Sequence, residues 1–252
     1  MPEVWTPVLL GTVCFCVFLY GISKTVMPVL GVLASPIIAA ALTPTVAAGF
    51  MVPLLILGDL VALAVYRQHV QWRLILRILP GLLVGLALTA ALFLFADVAV
   101  VSRVIGALIL TSVILEVVRM RQSGDTPPSV GTLWDRLVTA FFGVFAGITT
   151  FAANAGGAAM SLYLVRLRVP MLAFMGTSVW FFFILNLIKV PFAATIGLIT
   201  VDSLRVGLFM SPLMVAGALV GIVIFRRIDQ RRFVAAVLIL SAIAAVWLLV
   251  HG

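Results

Sequence analysis

The chain has 252 residues, of which 64% are hydrophobic and only 10% are charged, and its mean hydropathy is +1.32. Soluble globular domains carry about 25% charged residues, so this composition excludes one and leaves an all-α polytopic membrane protein. The formal net charge of +8 would suggest nucleic acid in a soluble protein. Here the basic residues sit in short loops between apolar runs, where they set topology, and no nucleic-acid partner is expected.

Apolar runs fall at 8–26, 28–43, 46–66, 77–95, 101–120, 137–152, 155–165, 171–195, 205–225 and 233–250. A spanning helix takes about 20 apolar residues, so these are ten helical segments, some of them short. The N-terminal MPEVWTPVLL carries Glu3 in place of a basic n-region, so its helix is expected to be retained rather than cleaved. No lipidation motif is present. Cys14 and Cys16 stand two apart, on different faces of a helix, which argues against a disulfide or a metal role.

The most polar connector, RQSGDTPPSVGTLWDR from Arg121 to Arg136, reads as a linker between halves. The expected organisation is a first repeat over 1–121, a cytoplasmic linker over 122–136 and a second repeat over 137–252. Arg67, Arg73 and Arg77 fall in one loop and Arg119, Arg121 and Arg136 flank the linker. Arg166 and Arg168 lie in a third loop, and Arg226, Arg227, Arg231 and Arg232 in a fourth. If each run crosses, all four loops lie on one side, which the positive-inside rule makes cytoplasmic, with both termini outside. The expected location is the cytoplasmic (inner) membrane.

The halves resemble each other. Gly21-Ile22-Ser23 and Gly147-Ile148-Thr149 open comparable stretches, and Ser35 aligns with Ser161 and Pro44 with Pro170 at one offset. Five segments per half is an odd number, so the second half enters the membrane upside down. Inverted repeats of this kind are a mark of secondary transporters. Between Asn154 and Arg166 lie only eleven residues, about 16 Å of helix against a core of about 30 Å. The runs 137–152 and 155–165 therefore predict a re-entrant hairpin. Its counterpart in the first half turns around Pro28.

Polar residues concentrate between Gly147 and Pro191, and polar groups in hydrocarbon mark function by default. Asn154, followed by Ala-Gly-Gly, suits the start of a half-helix: Asn caps it, and Gly156 and Gly157 let backbone N–H groups approach an anion. The same small residues would also serve close helix packing. Thr177, Ser178, Trp180 and Asn186 are polar positions on the following helix, with roles in substrate binding or in helix–helix hydrogen bonding. Once the arginines of the loops and segment ends are assigned, Lys24 and Lys189 are the basic residues left within apolar segments. Each either faces the pathway or snorkels, since Lys189 lies about 27 Å along a helix begun at Met171 and Lys24 about 24 Å from Val8. Asp59 reads either as a proton-coupling group or as half of an ion pair.

These residues also carry a resemblance. ANAGG from Ala153 to Gly157, Tyr163 and GTSVWFFFILNLIKVPFAATIGLI from Gly176 to Ile199 resemble the sulfite exporter TauE/SafE family of membrane permeases. GISKTVMPVLGVLASPIIAA and LGDLVALAVYRQHVQW resemble that family's first half, although Thr25 and Met27 stand where glycines are expected, which implies a less compact first hairpin. The resemblance covers nearly the whole chain. It implies transport of sulfite, a sulfonate or a related sulfur-containing anion.

The resulting expectation is a secondary transporter, not an enzyme, that exports such an anion by alternating access. Its expected partners are that anion and the lipid bilayer, with a homodimer as the oligomer considered, and it needs no cofactor or metal. No Walker motif is present. An intramembrane enzyme or redox protein would call for a His, Asp and Glu constellation or a Cys-x-x-Cys, and a non-transporting scaffold would have no use for an inverted repeat.

Overall fold

A computed structural model describes residues 6–42, 44–92, 98–123, 131–153, 156–195, 197 and 199–251. Among them there is no strand. Ten helices follow one another: α1 (Pro7–Thr25), α2 (Val29–Ala41), α3 (Pro44–Tyr66), α4 (Trp72–Leu92), α5 (Val98–Ser123), α6 (Leu133–Ala153), α7 (Gly156–Arg166), α8 (Met171–Thr195), α9 (Val201–Phe225) and α10 (Gln230–His251), with a 3-10 turn at Arg67–His69. Among the described residues six helices are long and apolar enough to cross a membrane. The chain is an all-α integral membrane protein. α7 has 11 residues and α2 has 13, the two short segments that the spacing predicts.

Helix ends follow local chemistry. Thr6 caps α1 by accepting the Leu9 N–H at 3.3 Å, ahead of Pro7; Pro in the first turn loses no helical hydrogen bond. Thr200 and Ser203 form a reciprocal capping box at the start of α9, which satisfies two backbone donors that have no partner within the helix. Pro212 lies inside α9 and cannot donate to the Leu208 carbonyl one turn earlier. The Ser211 hydroxyl donates to that carbonyl instead at 2.7 Å, the kind of repair that makes proline tolerable in a membrane helix.

The helices gather into two compact units, Met1–Val70 with Met175–Ile228, and Gln71–Phe174 with Asp229–Gly252. Neither unit coincides with a half of the sequence. In the first, α1 packs on α2, α3 and α9, around a core of Val13, Cys16, Val17, Phe50, Leu54 and Met214. α1 and α9 approach backbone to backbone: a methyl group on Gly21 would lie 3.0 Å from the Gly217 Cα. Edge-to-face stacking of Tyr66 and Phe225, 5.1 Å between centroids, brings the ends of α3 and α9, and so Arg67 and Arg226, to one end.

In the second unit α6 packs on α4 and α7, and α10 on α5. Here too the contact is backbone to backbone. A methyl on Gly85 would sit 3.0 Å from the Gly147 Cα, and one on Gly143 would sit 2.9 Å from the Gly81 Cα. Without a hydrophobic force between helices in lipid, such close approach by small residues is a main source of association. The Arg119 guanidinium donates to the Arg166 carbonyl at 3.0 Å, the Gln230 side chain accepts from the Met171 N–H at 2.7 Å, and Arg77 pairs with Asp135. These contacts, with Arg166 in electrostatic reach of Asp135, gather the starts of α4, α6 and α10 and the ends of α5 and α7 at one basic end.

Candidate functional site

Three helices of the first unit converge on a charged network inside apolar segments. Asp59, fully buried on α3, lies about 10 Å along the helix from Tyr66 at 1.5 Å per residue. One carboxylate oxygen accepts from the Lys24 ammonium at 2.6 Å and the other from the Asn186 amide at 2.7 Å. Gly58 makes room for the lysine stem: a methyl there would meet Lys24 Cγ at 3.0 Å and Met214 Sδ at 3.3 Å. The Lys24 ammonium also stands 5.7 Å from the centre of the Phe182 ring, within cation–π range. Lys189, one helical turn beyond Asn186, is within electrostatic reach of both Lys24 and Asp59.

Lys24 is therefore paired, and its position follows from the turn after α1. The Tyr66 hydroxyl donates to the Thr25 carbonyl at 2.9 Å, and the Thr25 hydroxyl donates to the Ala218 carbonyl at 2.8 Å. Gly221 admits this side chain, since a methyl on Gly221 would collide with the Thr25 hydroxyl. Thr25 and Met27 are 0% and 2% exposed. The looser hairpin expected from the missing glycines does not occur at these positions, because the glycine that permits close packing stands on α9 instead.

Thr177, Ser178 and Trp180 belong to a different level of α8. Ser178 precedes Asn186 by about 12 Å of helix. The Trp180 indole donates to the Arg67 carbonyl at 3.3 Å, and Gly176 abuts the turn after α3, where a methyl would lie 2.7 Å from the Tyr66 carbonyl oxygen. Thr177 and Ser178 are both 0% exposed, and the Ser178 hydroxyl has no hydrogen-bond partner among the described residues.

The hairpin of the second unit holds Gly156 and Gly157 as the first residues of α7, both buried. Asn154 lies outside the described residues. Gly156 rests on the Thr150 hydroxyl so closely that no side chain would fit. Thr150 and Ser161, 3% and 0% exposed, have hydroxyls without a partner among the described residues. The corresponding turn of the first unit is different. There the Ser23 hydroxyl accepts the Gly31 N–H at 2.8 Å and Ser35 bonds the Tyr20 hydroxyl at 2.6 Å. Thr150 is absent from the residues singled out by sequence. The available signal is the Thr-Thr pair ending α6, one residue of which aligns with Ser23.

The two units thus hold two kinds of polar feature: a hydrogen-bonded charge network in the first, and buried, unpartnered hydroxyls on the α6–α7 hairpin in the second. No group of His, Cys, Asp and Glu that could hold a metal occurs among the described residues. No curated protein and no solved structure matches the chain. The family model described as Sulfite exporter TauE/SafE matches residues 13–248, every helix from within α1 to within α10, and the chain accordingly belongs to this family of membrane permeases.

Proposed function

We propose that this permease exports a small sulfur-containing anion, sulfite or a sulfonate, across the cytoplasmic membrane by alternating access, without chemical conversion of the substrate. The observation that carries the reading is two unpartnered buried hydroxyls on the hairpin, Thr150 near the end of α6, against Gly156, and Ser161 midway along α7. A buried hydroxyl without a partner costs about 1–3 kcal/mol, and a bound oxyanion would remove that cost. The free N–H groups and positive dipole end of a half-helix favour the same ligand. In the second unit Asn154, Gly156 and Gly157 are the residues proposed to bind it. In the first unit Lys24, Asn186, Lys189, Thr177, Ser178 and Trp180 are proposed as a polar set of that unit with a substrate-binding role of its own. Asp59, with both oxygens engaged by Lys24 and Asn186, supports an ion-pair role over a proton-coupling one.

The membrane potential is a sufficient drive. Moving one negative charge out of a negative interior releases about 2.3 kcal/mol per 100 mV. A dianion gains about 4.6 kcal/mol, a gradient of more than roughly a thousandfold. Sulfite-evoked currents in proteoliposomes test this: net charge movement is expected, and electroneutral flux would overturn the uniport. Thr150→Val and Ser161→Ala should each raise the sulfite concentration for half-maximal current by about tenfold, the worth of one hydrogen bond to a charged group. Unchanged values in both would remove the hairpin from the site.

A further inference from the structure

The second unit holds a cavity of about 810 Å³ at its basic end, between the N-terminal halves of α4 and α6, lined by Trp72, Arg73, Arg77, Gly81, Arg136 and Thr139 among others. Three arginines line it. Asp135 neutralises one of them by pairing with Arg77, and its carboxylate also accepts the Gly131 N–H at 2.8 Å, which fixes the turn that forms one rim. Among the described residues no carboxylate pairs with Arg73 or Arg136, so the lining keeps two net positive charges. Thr139 adds a hydroxyl that is almost wholly buried. An anion with several oxygen acceptors suits such a lining, because guanidinium groups bind phosphate through paired N–H donors.

The surroundings of the cavity say which anion. Trp72 and Trp134 are 43% and 69% exposed, and tryptophans of this kind concentrate at the headgroup level of a bilayer. Beside them Leu76, Leu133 and Leu137 are also well exposed, an apolar surface that hydrocarbon chains would cover. A ligand that enters here meets positive charge at the headgroup level and aliphatic surface alongside it. We propose that the cavity holds the phosphodiester headgroup of an anionic phospholipid, with its acyl chains against the exposed leucines. In the proposed orientation this end faces the cytoplasm, where anionic lipids attract basic residues and basic pockets between helices take their headgroups. The cavity lining includes neither the hairpin hydroxyls nor Lys24 and Asp59.

Native mass spectrometry of the full chain tests the proposal, with phosphatidylglycerol, phosphatidylcholine and inorganic phosphate as probes. Phosphatidylglycerol should be retained at least tenfold more strongly than phosphatidylcholine. Arg73→Gln with Arg136→Gln should abolish that preference, whereas Arg227→Gln with Arg231→Gln, which removes equal charge outside the cavity, should leave it. Equal loss in both variants would overturn the site in favour of a diffuse basic surface. Displacement of the lipid by millimolar inorganic phosphate would show that the cavity takes free oxyanions rather than lipid. If the Arg73 and Arg136 variant does not fold, a photoreactive phosphatidylglycerol on the unaltered protein decides. Crosslinks are expected within 71–81 and 131–140, and crosslinks elsewhere would overturn the proposal.

Discussion

Asp59 is the most consequential single residue of the first unit, because its carboxylate is fully buried among the helices with both oxygens occupied. Removing one member of a buried ion pair strands the other and costs about 3–5 kcal/mol, whereas replacing the whole pair with apolar residues is often neutral. Asp59→Leu should therefore lower the unfolding temperature of the detergent-solubilised protein steeply, and Lys24→Met in the same chain should restore most of the loss. If the double variant is no better than the single one, Lys24 and Asp59 do not act as a pair. The sequence announces each charge as expensive but not the partnership. Lys24 and Asp59 are far apart along the chain, and only the folding of α1 against α3 brings them within 2.6 Å. Asn186 presents the same difficulty: its amide needs a partner in hydrocarbon, and nothing in its neighbourhood on α8 names Asp59.

At the scale of the helix, glycines decide which elements touch. α9 carries Gly217 and Gly221, α4 carries Gly81 and Gly85, and α6 carries Gly143 and Gly147, each pair one turn apart. That i, i+4 spacing puts both residues of a pair on one face and lets backbones meet. A methyl at Gly85 would collide with the Val144 carbonyl and one at Gly217 with the Phe18 carbonyl. Backbone cannot rotate away as a side chain can. Gly85→Ala and Gly217→Ala should each destabilise by about 1–3 kcal/mol, the cost of overpacking. Gly11, with nothing within 4 Å of the added methyl, should accept Ala without measurable loss in the same thermal unfolding assay. Equal behaviour at all three sites would mean that these crossings do not hold the units together. The helices themselves are legible in the sequence from run length and caps, and α7 from the spacing of Asn154 and Arg166. The partners are less so, because a GxxxG pattern names a contact face without naming what meets it.

At the scale of the molecule, each unit repeats one arrangement: a long helix with a glycine crossing and a short helix folded back beside it. α1 with α2 crosses α9, and α6 with α7 crosses α4. Gly21 and Gly147, aligned in the sequence, occupy the contact in each unit. This supports the proposed inverted repeat, in which α1 to α5 correspond to α6 to α10 and each unit borrows helices from both halves. Such interleaving is not readable from the Pro- and Gly-rich connector near the centre of the chain, since a linker marks where a repeat ends and not where a compact body ends. The repeat also fixes a requirement on topology. With an odd number of segments per half, corresponding residues must face opposite sides of the membrane. The basic ends, carrying Arg67 and Arg226 in one unit and Arg77, Arg119, Arg136 and Arg166 in the other, should then face the cytoplasm together. Single cysteines at Arg168 and Arg227, in a chain with Cys14 and Cys16 replaced by Ala, should be blocked by a membrane-impermeant maleimide only after the cells are opened. A cysteine at Asp202, at the far end of α9, should react in intact cells. Labelling of Arg168 and Asp202 from the same side would break the alternation that the ten helices require, and with it the inverted repeat.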